Sequence, residues 1–289
     1  MMSAVRILAG VIIASAVAAG SLLDDVRPRR PHRANEFTVL AADLHVHSFF
    51  GDGGVAPWEL PREAMRRGLD VIVVSNHNQR VGARIAAAAG NKAGGPIVIV
   101  GQEITSPAFH IAAAGLSETV DWRLTARDAI RAVHGQGGIA IAAHPVTYSW
   151  RAHDDEALAL LDGAEVSHPL MVPYPLGRIE LERFYSSAAR VNSSLAAIGS
   201  SDFHFGGSLG LCRTFVFARE ASERGVFDAV RAGRTVALGP RGELTGEPSL
   251  VRIVQGIIAA DPPVTRAPPL ARALSWIVLA AVTVVILFR

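Results

Sequence analysis

Six of the chain's ten histidines and three of its carboxylates fall at the ends of short apolar runs. They are His45, His47, Asp52, His77, Glu103, His110, His144, Asp202 and His204. His45 and His47 stand in Asp43-Leu44-His45-Val46-His47-Ser48, directly after the strand-like run 37–42, with Asp52 just beyond. A strand alternates its side chains, so both rings point to one face, about 7 Å apart. One metal ion could then bind where neither ring would hold it alone. His77 closes Val71-Ile72-Val73-Val74-Ser75-Asn76, Glu103 closes Ile97-Val98-Ile99-Val100, and His144 closes Ile139-Ala140-Ile141-Ala142-Ala143. His110 opens the run 111–114, and Asp202 and His204 repeat the two-residue spacing after Ala196-Ala197-Ile198-Gly199. A single strand-end histidine is more often a packed residue than a ligand. Nine such groups together are costly to bury unless cations pair them. Their mixed nitrogen and oxygen donors suit zinc, manganese or iron better than calcium, which prefers oxygen shells.

Three further residues are candidates for contact with a substrate. His168, in Glu165-Val166-Ser167-His168-Pro169, ends another run and could contact substrate or act as a general acid, or be a plain loop histidine. Arg80 and Arg213 could pair with a phosphate, the alternative being surface or structural arginines. Gly51-Asp52-Gly53-Gly54 lacks the Lys-Ser/Thr of a phosphate loop. The single Cys212 excludes an intrachain disulfide and a thiolate-rich zinc site. With a net charge of +2 and scattered arginines, no basic groove and no nucleic-acid partner is expected.

The elements that must carry these groups alternate. Strands are predicted at 37–43, 70–75, 96–102, 109–115, 138–143, 163–167, 195–200 and 213–218. Helices are predicted at 57–68, 78–90, 124–135, 153–161, 176–190 and 221–232. Pro57 and Gly68 bound the first helix, and Thr125 with Asp128 resembles a capping box. Such alternation implies an α/β fold, a mainly parallel sheet with helices outside, open or closed into a barrel. In that architecture the C-terminal strand ends form the reactive face.

Half of the residues are hydrophobic, and much of the excess sits at the two ends. Residues 1–23 read as a signal peptide or an N-terminal membrane anchor. Residues 24–35 read as a Pro/Arg-rich linker, 36–255 as the catalytic domain, 256–272 as a Pro-rich linker, and 273–288 as a C-terminal transmembrane helix. The expected location is therefore membrane-anchored, single or double pass. Arginine counts favour a cytoplasmic domain and the cleavage site an exported one, so the face stays open.

The motifs Asp43-Leu44-His45-Val46-His47-Ser48 with Asp52-Gly53, Ser75-Asn76-His77-Asn78, Gly101-Gln102-Glu103-Ile104, Ala143-His144-Pro145 and Gly199-Ser200-Ser201-Asp202-Phe203-His204 follow one order. In that order they resemble the PHP (polymerase and histidinol phosphatase) family of metallohydrolases. The resemblance implies a distorted seven-stranded (β/α) barrel with two or three divalent ions in its mouth. Carried over by position, His45, His47, Glu103 and Asp202 would hold one ion. Glu103 would bridge to a second ion with His110 and His144, and Asp52, His77 and His204 would hold a third. The family usually has Thr-Asp-His where this chain has Ser75-Asn76-His77; Asn76 can hydrogen-bond but cannot titrate. The expected activity is a phosphoesterase using a metal-bridged hydroxide near Glu103, on a small-molecule phosphate ester. A carboxylic or carbamic ester hydrolase on the same site, or a non-catalytic metal-binding domain at a membrane, are the alternatives.

Overall fold

The computed structural model describes residues 4, 7–13, 15, 26–91, 95–146, 149–171, 175–205, 207–260, 277, 280 and 281. Two units separate: Pro28–Pro263, and Met1–Arg27 with Val264–Arg289. In the larger unit β1 (His32–Ala34) and β2 (Phe37–Val46) lead to α1 (Leu60–Arg66), β3 (Val71–Val74) and α2 (Val81–Gly90). Next come β4 (Ile97–Thr105), β5 (His110–Ala114), α3 (Ala126–His134), β6 (Ile139–Ala142), α4 (Asp155–Leu160) and β7 (Gly163–Ser167). A 3-10 turn (Pro169–Met171) precedes α5 (Pro175–Val191), β8 (Ala196–Gly199), β9 (Arg213–Ala218) and α6 (Glu223–Arg231). The unit closes with β10 (Thr235–Leu238), β11 (Leu244–Gly246) and α7 (Pro248–Ala260).

The strands form one sheet in the order β11-β10-β9-β2-β3-β4-β5-β6-β7-β8, with β1 on β2. Val71-Ile72-Val73-Val74 is buried on both faces, which is why its run is continuously apolar rather than alternating. Leu40, Ala42 and Leu44 pack with Val71, Val73, Ile99 and Ile141, and with Val226 and Val230 of α6. On the opposite face Val39, Ala41, Ile72 and Val74 meet Leu60 of α1, Ala83 of α2 and Val254 of α7. The helices start where side chains accept backbone N–H groups: Thr125 from Asp128, Asp154 from Ala157, Ser222 from Gly225.

The far edge curls back on itself. The Thr214 hydroxyl of β9 accepts from the Gly199 amide at 3.0 Å and donates to the Gly199 carbonyl at 2.8 Å, tying β8 to β9. Only glycine allows this approach, since a Cβ at 199 would lie 2.6 Å from the Arg213 carbonyl oxygen. The result is a mixed α/β fold with a nearly closed, barrel-like sheet.

Several expectations change. The sheet is mixed rather than mainly parallel: β5 runs antiparallel to both β4 and β6, and β9 antiparallel to β2 and β10. A four-residue turn, 106–109, joins β4 to β5, far short of the dozen or so residues a parallel crossover needs. Strands β1 and β11, three residues each, are too short to show a pattern in sequence, β10 is a further strand, and α7 runs on to Ala260, past the boundary expected at 255.

The membrane expectation is corrected too. Among the described residues no helix is long and apolar enough to cross a membrane. Membrane anchoring, single or double pass, is therefore unsupported as a location and as a partnership. Most of the segments 1–23 and 273–288 lies outside the described residues.

Candidate metal centre

The strand ends bring all nine sequence-predicted ligands into one cup. His45 lies within β2 and His47 one residue past it; His77 follows β3, Glu103 lies in β4 and His110 opens β5. His144 follows β6, and Asp202 and His204 follow β8. They divide into three groups whose donor atoms lie within 4.8 Å of one another: His45, His47, Glu103 and Asp202; Glu103, His110 and His144; His47, Asp52, His77 and His204.

The first group has the geometry of a coordination shell. His45 Nε2 lies 3.1 Å from His47 Nε2, 3.5 Å from Glu103 Oε2 and 3.3 Å from Asp202 Oδ1. His47 Nε2 lies 3.3 Å from the same Glu103 oxygen and 3.2 Å from the same Asp202 oxygen. Four donors placed about 2.1 Å from a tetrahedral ion stand about 3.4 Å from one another. Those five separations bracket that value. Glu103 Oε2 and Asp202 Oδ1, both buried, make no hydrogen bond, an arrangement that is costly unless a cation occupies their lone pairs. The residues fit a divalent ion.

Glu103 divides its carboxylate between two groups. Oε2 faces His45 and His47 and lies 2.6 Å from His77 Nδ1, while Oε1 lies 2.7 Å from His110 Nδ1 and 3.2 Å from His144 Nε2. In the third group Asp52 reaches His47 Nδ1 at 3.0 Å, His77 Nε2 at 3.1 Å and His204 Nε2 at 3.1 Å. Asp52, His77 and His204 of that group are open to solvent, whereas the side chains of His45, His47 and Glu103 are fully buried.

Electrostatics follow from this packing. Burial alone would depress the imidazoles, but Asp202, Asp52 and Glu103 overcome it and hold His47 up to about 10. His45 is likewise raised well above its ordinary value, against its burial, by Asp202, Glu165 and Glu103. Burial works to raise Glu103 and Asp202, yet the charge of His45 and bonds from neighbouring histidines hold both well below the usual carboxylate range. In the metal-free chain, protons thus stand where cations would sit. Two donors also sit on unfavourable backbone: Asp202 has φ +43° and His144 φ +28°. Non-glycine residues keep such conformations only when the surroundings over-determine them, characteristically at functional sites.

The Asn76 side chain bonds Ser48 rather than a member of the metal groups. Its Oδ1 accepts from the Ser48 amide at 3.3 Å and the Ser48 hydroxyl at 2.9 Å, and its Nδ2 donates to the Ser48 carbonyl at 3.0 Å. It pins the turn that leads to Asp52. An ionised aspartate could not make that last bond.

The other predicted contacts fare differently. His168 is brought in: it is buried, with Nε2 3.3 Å from Asp202 Oδ2. The arginines are not. Arg80 donates to the Leu116 carbonyl at 2.9 Å and to Thr119, and Arg213 to the carbonyls of Gly210 and Arg67 at 2.9 and 3.0 Å. These bonds hold part of each guanidinium against the chain's own backbone.

Two carboxylates were not singled out from the sequence. Asp43 accepts from the amides of Ser201 (3.0 Å) and Gly210 (2.9 Å) and from the Ser201 hydroxyl, fastening the β8 end that presents Asp202. Glu165 touches His45 and His144. The signal was present in each case, an acid within an apolar strand run, where a charge is rarely buried unpaired.

A family model described as PHP-associated matches residues 187–235. The uncharacterized protein MJ1587 of Methanocaldococcus jannaschii is 30% identical over 139 residues, covering 44% of this chain and 81% of that protein. A two-domain protein from Bacteroides vulgatus, described as containing a predicted PHP-like metal-dependent phosphoesterase, superposes with a TM-score of 0.62. It is 26% identical, and the match covers 78% of this chain and 72% of that one. The PHP-associated match and the PHP-like structural neighbour support the PHP family for this chain. The clustered donors and the PHP relatives together support divalent metal binding and a metal-dependent hydrolase.

Proposed function

We propose that this chain is a PHP-type enzyme that hydrolyses phosphate esters of small molecules. The observation that carries the reading is the near-tetrahedral set of donors on His45, His47, Glu103 and Asp202, in which both carboxylate oxygens make no hydrogen bond. Those four would hold one ion; Glu103 with His110 and His144 would hold a second, and Asp52, His77 and His204 a third. When bound, divalent ions lower the pKa of coordinated water and neutralise charge on phosphoryl oxygens. The protein's own residues do the positioning. Glu103 spans two groups with its two oxygens, fixing their separation. His168 engages Asp202 Oδ2 and leaves Oδ1 aimed at His45 and His47. The solvent-open side, around Asp52, His77 and His204, is where an ester would enter.

A second reading, hydrolysis of carboxylic or carbamic esters on the same groups, is favoured by one observation. Arg80 and Arg213, the arginines best placed in sequence to meet a phosphate, are committed to backbone carbonyls. One experiment separates the readings. Metal-reconstituted protein, with His45→Ala and Asp202→Ala alongside, is assayed on phosphomonoesters, phosphodiesters and carboxylic and carbamic esters. Phosphate release lost in both variants supports the proposal. Turnover confined to carboxylic or carbamic esters selects the second reading, and turnover unaffected by both substitutions overturns both.

A further inference from the structure

The Glu165 side chain is fully buried in β7, and both of its oxygens are used. Oε1 accepts from His45 Nδ1 at 2.9 Å. Oε2 accepts from the His144 backbone amide at 2.5 Å. His45 presents its other nitrogen to the group with His47 and Asp202, and His144 presents Nε2 to the group with His110. One carboxylate therefore grips a ligand of each inner group, the first through its ring and the second through its main chain. His144 needs that grip, because its φ of +28° is not a conformation a histidine adopts freely.

We infer that Glu165 is the positioning residue that couples the two inner metal groups, by fixing the proton of His45 on Nδ1 and the backbone of His144. The inference rests on reading the cup as a metal centre and goes one step further. A proton on Nδ1 leaves Nε2 free to bind a cation, since a neutral imidazole has one donor and one acceptor nitrogen. A carboxylate can accept at both oxygens; an amide cannot. In Glu165→Gln, if the amide oxygen keeps the His144 N–H, the NH2 faces His45 Nδ1 and drives the ring proton onto Nε2, where it blocks coordination. If the oxygen turns to His45 instead, two donors confront each other at His144. Either way an inner group is damaged, although Gln matches Glu in shape.

The test is a Co2+ titration of wild type, Glu165→Gln and Glu165→Ala, followed by the visible spectrum and by equilibrium dialysis, with metal-free melting curves alongside. The inference predicts that Gln lowers affinity about 10–100-fold, as much as Ala does, with a metal-free melting temperature near wild type. If Glu165 only fills space, Gln will bind Co2+ as wild type does and Ala alone will be impaired; that result overturns the inference. A wild type that takes up no Co2+ overturns the metal-centre reading, and the role of Glu165 with it. Should the variants not fold, nitrogen-15 spectra of zinc-loaded wild type decide the matter. A slowly exchanging proton on His45 Nδ1 supports the inference, and a proton on Nε2 overturns it.

Discussion

Opposite ends of the same sheet bury acids in opposite ways. At the starts of β3 and β7, Asp70 and Asp162 each accept a neighbouring strand's amide at 2.8 Å, from Ala41 and Ala140. Each also meets a side-chain nitrogen of its own, Arg29 at 2.7 Å and His134 at 2.8 Å. At the other end, Glu103 and Asp202 face several imidazoles at once, and each leaves an oxygen without a hydrogen bond. A carboxylate with matched partners fastens the fold. One whose lone pairs converge with those of its neighbours is waiting for a cation.

The strongest challenge to that contrast is to delete one acid from each end. Glu103→Ala should cost about 10³-fold or more in hydrolysis, because it removes a donor from two groups, while the metal-free fold persists. Asp70→Ala should do the reverse. Leaving Arg29 and the Ala41 amide without their acceptor should cost about 3 kcal/mol, or roughly 6–12 °C in melting temperature, with kcat of the folded protein unchanged. Calorimetry and steady-state assays on both variants check the pair. Large activity loss in Asp70→Ala at full folding would erase the distinction.

A smaller effect sharpens it within the cup. Asn76→Asp sets a carboxylate against the Ser48 carbonyl, now 3.0 Å from the amide nitrogen. It should cost about 1–3 kcal/mol by denaturant unfolding and weaken chiefly the ion nearest Asp52. Equal weakening of all bound ions would show that Asn76 acts on more than its turn.

The smallest expected effect is on pH. In the metal-free chain His47 titrates near 10 against 6.5 when unfolded, because its carboxylate partners outweigh burial. Its contribution to stability is complete below about 6.5 and is lost as pH rises through about 10. Asp43, pushed up to about 6 by burial despite its hydrogen bonds, acts in the same direction but lower down. Its contribution is lost between about 3.8 and 6 and is flat above. Between pH 7 and 10 the metal-free chain should therefore lose at least ~1 kcal/mol. The metal-loaded chain, whose histidines hold no such proton, should stay level. Parallel melting curves with and without chelator test this.

The sequence made the cup legible because ligands need fixed residue types at strand ends, and an apolar run ending in histidine stands out. What it hid depends on distant pairing. The antiparallel insertion of β5 follows from one short turn, and the three-residue β1 and β11 exist only by pairing with longer strands. Arg80 and Arg213 looked free for phosphate because nothing local shows which carbonyls will take them. Glu165 and Asp43 were visible as acids in apolar runs, but their roles rest on partners up to 167 residues away.

The central claim is that the donors at the strand ends are a cation shell. An anomalous difference map from crystals grown with Zn2+ addresses it most directly. The account predicts a peak among His45, His47, Glu103 and Asp202, with a second beside His110 and His144. A cup without a peak, in a crystal whose map shows zinc elsewhere, would contradict it.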